Sequence, residues 1–319
     1  MTPVLVAVVT HQSMAELPGL FSGLPEALRG IDRWRVVIAD NASTDGGPEW
    51  AARALPEATV VATGGNLGYA AGINAAMATA EPDETVLVLN PDVRLAPGSV
   101  RTLLSALDDE AVGVAVPEVT RPDGTPEPTL RRRPSVARAW GEALLGSRAQ
   151  RFPALSERMP VDAGQRDVDW ANGAVLLIAP TVRRVIGPWR EDLFLYSEEV
   201  DYCRRVQDAG WQIRQVPGAS VVHRGGAVTR NPALWAQMVT NRVVHAARWD
   251  GTRAAWGTWA AFVVAQLLRL PLRRGTHRAA LAALWRGRRR LLAGEPTNPA
   301  APASFRAAVG VSTVGGGRR

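Results

Sequence analysis

Asp92 stands at the end of an apolar run, Thr85-Val-Leu-Val-Leu89 followed by Asn90-Pro91-Asp92. The run is short, rich in Val and Leu, and bounded by Pro82 and Pro91, which predicts a buried parallel strand rather than a helix. A carboxylate just past the carboxyl end of such a strand can hold a hard divalent cation whose other ligands are phosphate oxygens. Asn, Pro and Asp also favour ordinary turns. Asp40 occupies the same place after a second apolar run, Trp34 to Ala39. Its carboxylate can accept from a pyrimidine N3–H or a ribose hydroxyl, or it can cap the next helix. A third group, Glu198, Glu199 and Asp201, opens a helical pattern that ends at Ala209-Gly210. Acids suit a helix start, and Asp201 with Arg205 makes an i,i+4 pair. Pointed into a cleft instead, three carboxylates would be costly without a role.

The elements that must position these groups alternate strand and helix. Strands are predicted at Val4–Thr10, Trp34–Ala39, Thr59–Ala62, the run before Asp92, and Val112–Val116, with helical patterns between them. That alternation implies an α/β fold with a parallel, doubly wound sheet. Further strands are expected at Gln212–Val216 and Ser220–His223, so His223 ends a strand. The loop Gly64-Gly65-Asn66-Leu67-Gly68 lacks both the Gly-x-Gly-x-x-Gly order of a dinucleotide fingerprint and the Gly-Lys-Ser/Thr of a P-loop. Dehydrogenase and ATPase readings lose their main support with it. Arg131-Arg132-Arg133 could meet a diphosphate, or form a solvated face. Trp170 could stack on a sugar's apolar face, or be core.

Of 319 residues, 46% are hydrophobic and 21% charged, as in a globular chain. The lone cysteine, Cys203, permits no internal disulfide and suits a reducing, cytoplasmic setting. Val4–Val9 has no basic flank and is too short for a signal segment. The net charge of +7 hides a segregation: residues 224–319 carry 16 Arg against Asp250 and Glu295 alone, while the rest of the chain is net acidic. Every basic residue is Arg. Basic tails seek phosphates, of nucleic acid or of membrane lipid. The tail is expected to form helices at Asn231–Trp249, Thr252–Leu270 and Thr276–Leu292, carrying five of the 11 Trp. The uncharged run Ala254–Leu268 spans 15 residues, short of the roughly 20 a bilayer requires, so an interfacial association is expected. Residues 293–319, rich in Pro, Ala and Gly, are expected to be disordered.

Four motifs in order, Val4–Thr10, Asp40-Asn-Ala-Ser-Thr-Asp-Gly46, Asn66-Leu-Gly-Tyr-Ala-Ala-Gly-Ile-Asn74 and Leu89-Asn-Pro-Asp92, resemble the family 2 inverting glycosyltransferases of GT-A fold, in their rhamnosyltransferase-like branch. The resemblance implies a nucleotide-sugar site at Thr10, Asp40, Asn66, Gly68, Asn90 and Asp92. Asn90-Pro91-Asp92 would be a variant Asp-x-Asp motif, with Asp92 and His223 as ligands of Mg2+ or Mn2+. Trp170 and Gly173 match an acceptor-side segment. Glu198-Glu199 matches a Glu-Asp pair whose second member is the general base, here one methylene longer, with Asp201 beside it. The implied organisation is a GT-A domain over residues 1–225, an Arg/Trp-rich membrane-associating region over 226–292, and a tail. The implied reaction is sugar transfer, by resemblance of L-rhamnose from a dTDP donor, to a lipid-linked or polysaccharide acceptor in bacterial cell-envelope synthesis, at the inner face of the plasma membrane. Two other readings are a nucleotidyltransferase of similar fold and a nucleic-acid-binding protein using the basic tail, with nucleic acid the less favoured partner.

Overall fold

The computed structural model describes residues 2–160, 164, 166–225, 231–272 and 274–296. Strands β1 (Val4–Thr10), β2 (Trp34–Asp40), β3 (Thr59–Ala62) and β4 (Thr85–Leu89) lie side by side in the order β3-β2-β1-β4, all parallel. Helices α1 (Leu17–Ala27), α2 (Gly47–Ala54) and α3 (Tyr69–Met77) connect them. β1 and β4 are buried along their whole length, as expected of strands covered on both faces. After β5 (Val93–Leu95) and α4 (Ser99–Ser105) comes β6 (Val112–Thr120).

β6 does not pair with β4. Between them runs β10 (Val175–Ile178), antiparallel to both. The sheet is therefore mixed: the run of parallel strands read from the sequence is interrupted by one antiparallel strand, within the mostly parallel sheet expected of a GT-A fold. The predicted strands Gln212–Val216 and Ser220–His223 are one strand, β11 (Gln212–His223), parallel to β6 with a register shift between Gln215 and Ser220. β11 also pairs antiparallel with β5 and with β8 (Arg166–Val168). Its pairing with β5 puts His223 opposite Val93, beside Asp92. A small second sheet joins β7 (Leu130–Arg131) to β9 (Trp170–Ala171).

Helices α5 (Val136–Leu145), α6 (Pro180–Ile186) and α7 (Glu198–Asp208) precede the C-terminal group: α8 (Pro232–Trp249), α9 (Gly251–Arg269), α10 (Arg274–Arg286) and α11 (Arg288–Leu292). The last four have a core of their own around Val243, Val244, Ala255, Leu284 and Leu291. They also dock firmly on the sheet domain. Asn241, fully buried, donates its side-chain amide to the carbonyls of Leu193, Leu195 and Tyr196 at 2.8–3.0 Å. Arg248 pairs with Asp192, Arg242 with Glu157, and the Trp249 indole donates to Asp201 at 3.0 Å. α9 packs along α5 through Ala139, Ala143, Ala261 and Ala265. Several arginines of the basic tail are thus committed to partners within the protein. Trp235 and Trp259 likewise turn inward, donating to Gln266 and to the Leu284 carbonyl, while Trp256 and Trp285 remain exposed.

Among the described residues no helix is long and apolar enough to cross a membrane. The expectation of disorder over 293–319 lies, from 297 onward, outside the described residues.

This docking implies that the sheet domain is incomplete without α8. Deleting residues 231–296 should leave an insoluble or unfolded body by circular dichroism. Asn241→Ala should lower unfolding stability by about 2–4 kcal/mol, because buried carbonyls lose their donors. A folded, cooperative fragment ending at residue 230 would contradict this.

Candidate active site

Two clusters of carboxylates lie near Tyr69. The first is built where β4 ends. The Asn90 amide donates to the Ala174 carbonyl at 2.9 Å, and the Arg94 guanidinium donates to the carbonyls of Pro91 and Val93, so the turn is clamped on both sides. Asp92 Oδ1 lies 3.4 Å from His223 Nε2, and Oδ2 accepts from the Gly225 amide at 3.1 Å. The other ring nitrogen of His223 lies 3.0 Å from Glu127. Burial alone would lower the His223 pKa, but the two carboxylates outweigh it and push it up to about 9. Burial opposes ionisation of Asp92, yet His223 and the Gly225 amide hold its carboxyl below the usual range.

A hard cation at this donor set would have to displace the proton that the two carboxylates hold on His223, since a ligating imidazole is neutral. Neighbouring ligands in an octahedral shell with bonds of about 2.1 Å sit roughly 3 Å apart, close to the Asp92–His223 separation. Glu127 supplies the carboxylate that orients a ligating histidine through its second nitrogen. Among the described residues no group of three or more His, Cys, Asp or Glu could hold a metal. A cation here would complete its shell with phosphate oxygens and water.

The second cluster opens α7, and the chain reaches it through strained backbone. Phe194, Tyr196 and Ser197 have φ of 63°, 71° and 74°, a region that costs a non-glycine residue about 1–3 kcal/mol. Phe194 centres a γ-turn in which the Leu195 amide donates to the Leu193 carbonyl at 2.8 Å. Two latches hold this loop. Asn241 takes its carbonyls on one side, and on the other the Tyr69 amide donates to the Phe194 carbonyl at 2.8 Å. Gly68 must be glycine, since its φ is +94° and a Cβ would collide with the Phe194 carbonyl.

The loop delivers two carboxylates in different environments. Glu198 is buried, and its Oε2 has no protein partner. Burial, reinforced by Glu199, drives its pKa well above the usual carboxylate range. Glu199 is half-buried; loss of water raises its pKa too, but Arg242 and Arg131 favour its ionised form. The pair titrates as a unit, with Glu198 the member that keeps a proton. Tyr69 lies near both clusters, and its hydroxyl donates to the Gly173 carbonyl at 2.7 Å. Burial, and then Glu198, Asp92 and Glu199, raise its pKa well above the ordinary value.

Other residues singled out in the sequence fall elsewhere. Asp201 is buried and fully engaged, with Arg205 at 3.0 Å, the Trp249 indole at 3.0 Å and Arg190 at 3.8 Å. Its geometry is that of a clamp between α7 and α8 rather than of a group free to accept a proton. Trp170 is core: its indole donates to the Arg132 carbonyl, and the guanidiniums of Arg131 and Arg242 lie 5.8 and 5.3 Å from its ring centre. With its ring so covered it cannot stack on a sugar, which corrects its placement at the acceptor. Gly173 packs against Tyr69 and Glu199. Arg131 turns inward; burial and neighbouring Arg158 lower its pKa to about 10.

At the far end of the sheet, Asp40 ends β2. Its carboxylate accepts from the Thr10 hydroxyl at 2.8 Å and from the Ser43 hydroxyl and amide at 2.6 and 2.9 Å. Three donors leave room for about one more. α2 starts from Gly46 without a side-chain cap, and Asp45, one residue earlier, accepts from the Gly47 amide. Asn41 bridges to the Gly68 carbonyl at 2.9 Å, and Asn66 is exposed at the rim. Tyr69, Glu127, Asn241 and Arg242 were not singled out from the sequence. Tyr69 lies inside a recognised motif; the others carry no local signal.

The Glycosyl transferase family 2 pattern matches residues 6–164. The chain is 34% identical over 212 residues to N-acetylglucosaminyl-diphospho-decaprenol L-rhamnosyltransferase of Mycobacterium tuberculosis, covering 62% of this chain and 69% of that one. Its fold is similar to mannosyltransferase PcManGT from Pyrobaculum calidifontis, solved with GDP-Man and Mn2+ (TM-score 0.55, 16% identity, 91% of this chain and 86% of that one). It is also similar to GalNAc-T7, solved with UDP, GalNAc and Mn2+ (TM-score 0.60, 12% identity), where it covers 90% of this chain and spans just over half, 56%, of the other. The chain therefore belongs to glycosyltransferase family 2, with the sheet of a GT-A fold.

Proposed function

We propose that this glycosyltransferase moves a sugar from a nucleoside diphosphate donor to a hydroxyl of a lipid-linked acceptor by a single inverting displacement. The favoured donor is dTDP-L-rhamnose and the favoured acceptor a polyprenyl-diphosphate sugar of the kind named for the mycobacterial relative. The observation that carries this reading is that the Asp92 turn, joined to His223, and the Glu198-Glu199 start of α7 both come close enough to the buried Tyr69 for their charges to act on it. One cluster suits a diphosphate and the other a nucleophile.

Thr10 and Asp40, with Asn66 and Gly68 at the loop, face the nucleoside end, where the remaining acceptor capacity of Asp40 can take a base or ribose donor. Asp92 and His223 would hold Mg2+ or Mn2+, which when bound offsets charge on the departing diphosphate. Glu199, kept ionisable by Arg242 and Arg131, takes the acceptor hydroxyl's proton as that oxygen attacks the anomeric carbon. The bond from the anomeric carbon to the diphosphate oxygen breaks, and its electron pair leaves with the diphosphate. Glu198, buried beside Glu199 with an Oε2 that has no hydrogen-bond partner, shapes the surroundings of the base rather than meeting the acceptor. Asp201 and Asn241 position the base without touching substrate. In this reading the sheet domain and the C-terminal helices act as one catalytic body at an anionic membrane surface, and nucleic acid is not a partner.

A donor panel with nucleoside diphosphate release as readout tests the reaction class. Release with dTDP-L-rhamnose, dependent on a polyprenyl-diphosphate acceptor, is expected; pyrophosphate release would assign a nucleotidyltransferase instead.

Asp92→Ala should lower turnover by at least a hundredfold and His223→Ala by less, with EDTA abolishing activity in the parent. Full turnover in EDTA would exclude the cation site.

Glu199→Gln should retain donor binding and lose transfer, because an amide cannot accept the proton. Since the Glu199 pKa is raised, kcat/KM in the parent should climb with pH through an apparent pKa above the ordinary carboxylate range. A flat profile, or normal turnover by Glu199→Gln with a dead Glu198→Gln, would reassign the base.

A further inference from the structure

Six of the large apolar side chains that the described surface exposes fall on two short segments. Leu144, Leu145 and Phe152 lie at and just after the end of α5, and Leu267, Leu268 and Leu272 at and just after the end of α9. The two helix ends are tied together. Arg269 donates to the Glu142 and Ala143 carbonyls at 2.7 and 3.0 Å, so the six side chains sit on one edge of the molecule. Leu272 is the most exposed of them, at 79%. An edge of protruding leucines and a phenylalanine is not explained by packing within the chain, and isolated exposed apolar residues do not usually gather in this way.

The charge around the edge has one sign. Residues 143–156 and 251–294 contain no Asp or Glu, while Arg148 and Arg151 are exposed beside Phe152. Glu142, the nearest acid, turns inward to accept from Ser156 and the Glu157 amide. Convex apolar side chains ringed by arginine complement an anionic lipid surface, where aliphatic groups enter the acyl boundary and guanidiniums meet headgroup phosphates. The opposite end of the C-terminal helices is less suited. There Trp256, Trp259 and Trp285 pack on one another, and the Arg288 guanidinium lies 5.0 Å from the Trp285 ring centre.

We infer that the edge formed by the ends of α5 and α9 is the membrane-docking surface of this enzyme, and that it takes an anionic phospholipid bilayer. The inference rests on the lipid-linked acceptor proposed above. It places the lipid contact on leucines shared by the sheet domain and the C-terminal helices, not on the tryptophans of the tail.

The test is co-sedimentation of the full chain with vesicles of phosphatidylglycerol and phosphatidylcholine. The parent and Trp285→Glu should pellet, and the double variant Leu268→Glu/Leu272→Glu should bind at least tenfold more weakly. The double variant should keep the parent's melting temperature and its nucleoside diphosphate release with a short, water-soluble acceptor. Equal pelleting of double variant and parent, or no pelleting of the parent, would overturn the inference. So would a parent dimer that the double variant dissociates while neither form binds vesicles, since the edge would then join two copies. Failure of the soluble-acceptor reaction in the parent would count against the proposed reaction and leave the vesicle result to stand alone.

Discussion

The hydrogen bonds from the Asn241 side chain to three backbone carbonyls govern how the cleft is assembled. The segment they hold, Leu193 to Ser197, contains three non-glycine residues at positive φ and a γ-turn. Left to itself, such a segment would relax, since each strained residue costs about 1–3 kcal/mol. It persists because a buried amide satisfies its carbonyls from α8 while Tyr69 and Gly68 close on Phe194 from α3. The direction in which α7 begins, and so the place of Glu198 and Glu199, follows from that grip. The C-terminal helices are in this sense part of the active site.

The same economy of contacts separates the two acid clusters. At the end of β4, burial opposes ionisation of Asp92, but His223 and a backbone amide outweigh it and favour the carboxylate. At the start of α7, burial raises both glutamates, and only Glu199 has arginines near enough to counter it. Arg242 comes from α8 and is held by Glu157, so its charge is fixed in place. The two carboxylate groups near Tyr69 thus differ in charge preference, Asp92 held ionised and the α7 pair raised by burial.

What could be read from the sequence followed from local pattern. β1 to β4 are short apolar runs between turn residues, and Asp40 and Asp92 stand where those runs stop, so their place at the sheet's carboxyl edge was legible. The direction of β10 was not, because a four-residue apolar run carries no mark of which neighbour it pairs with or in which sense. Trp170 suited a core slightly better than a sugar on type alone, and tertiary packing decided between them. The tail's charge count misled for a related reason: Arg242, Arg248 and Arg269 are adapted to partners 46 or more residues away. Asn241 had no signal at all, since a single amide in a helix becomes informative only when the carbonyls it meets are known.

The most direct measurement of this account is the kinetics of Asn241→Ala at a temperature where the variant is still fully folded. If the amide sets the geometry of the base, kcat should fall at least tenfold while the donor KM stays near the parent value, because the nucleotide side of the cleft is built from β1, β2 and β4. An unchanged kcat in a folded variant would show that the loop before α7 holds its shape without Asn241, and would contradict the account.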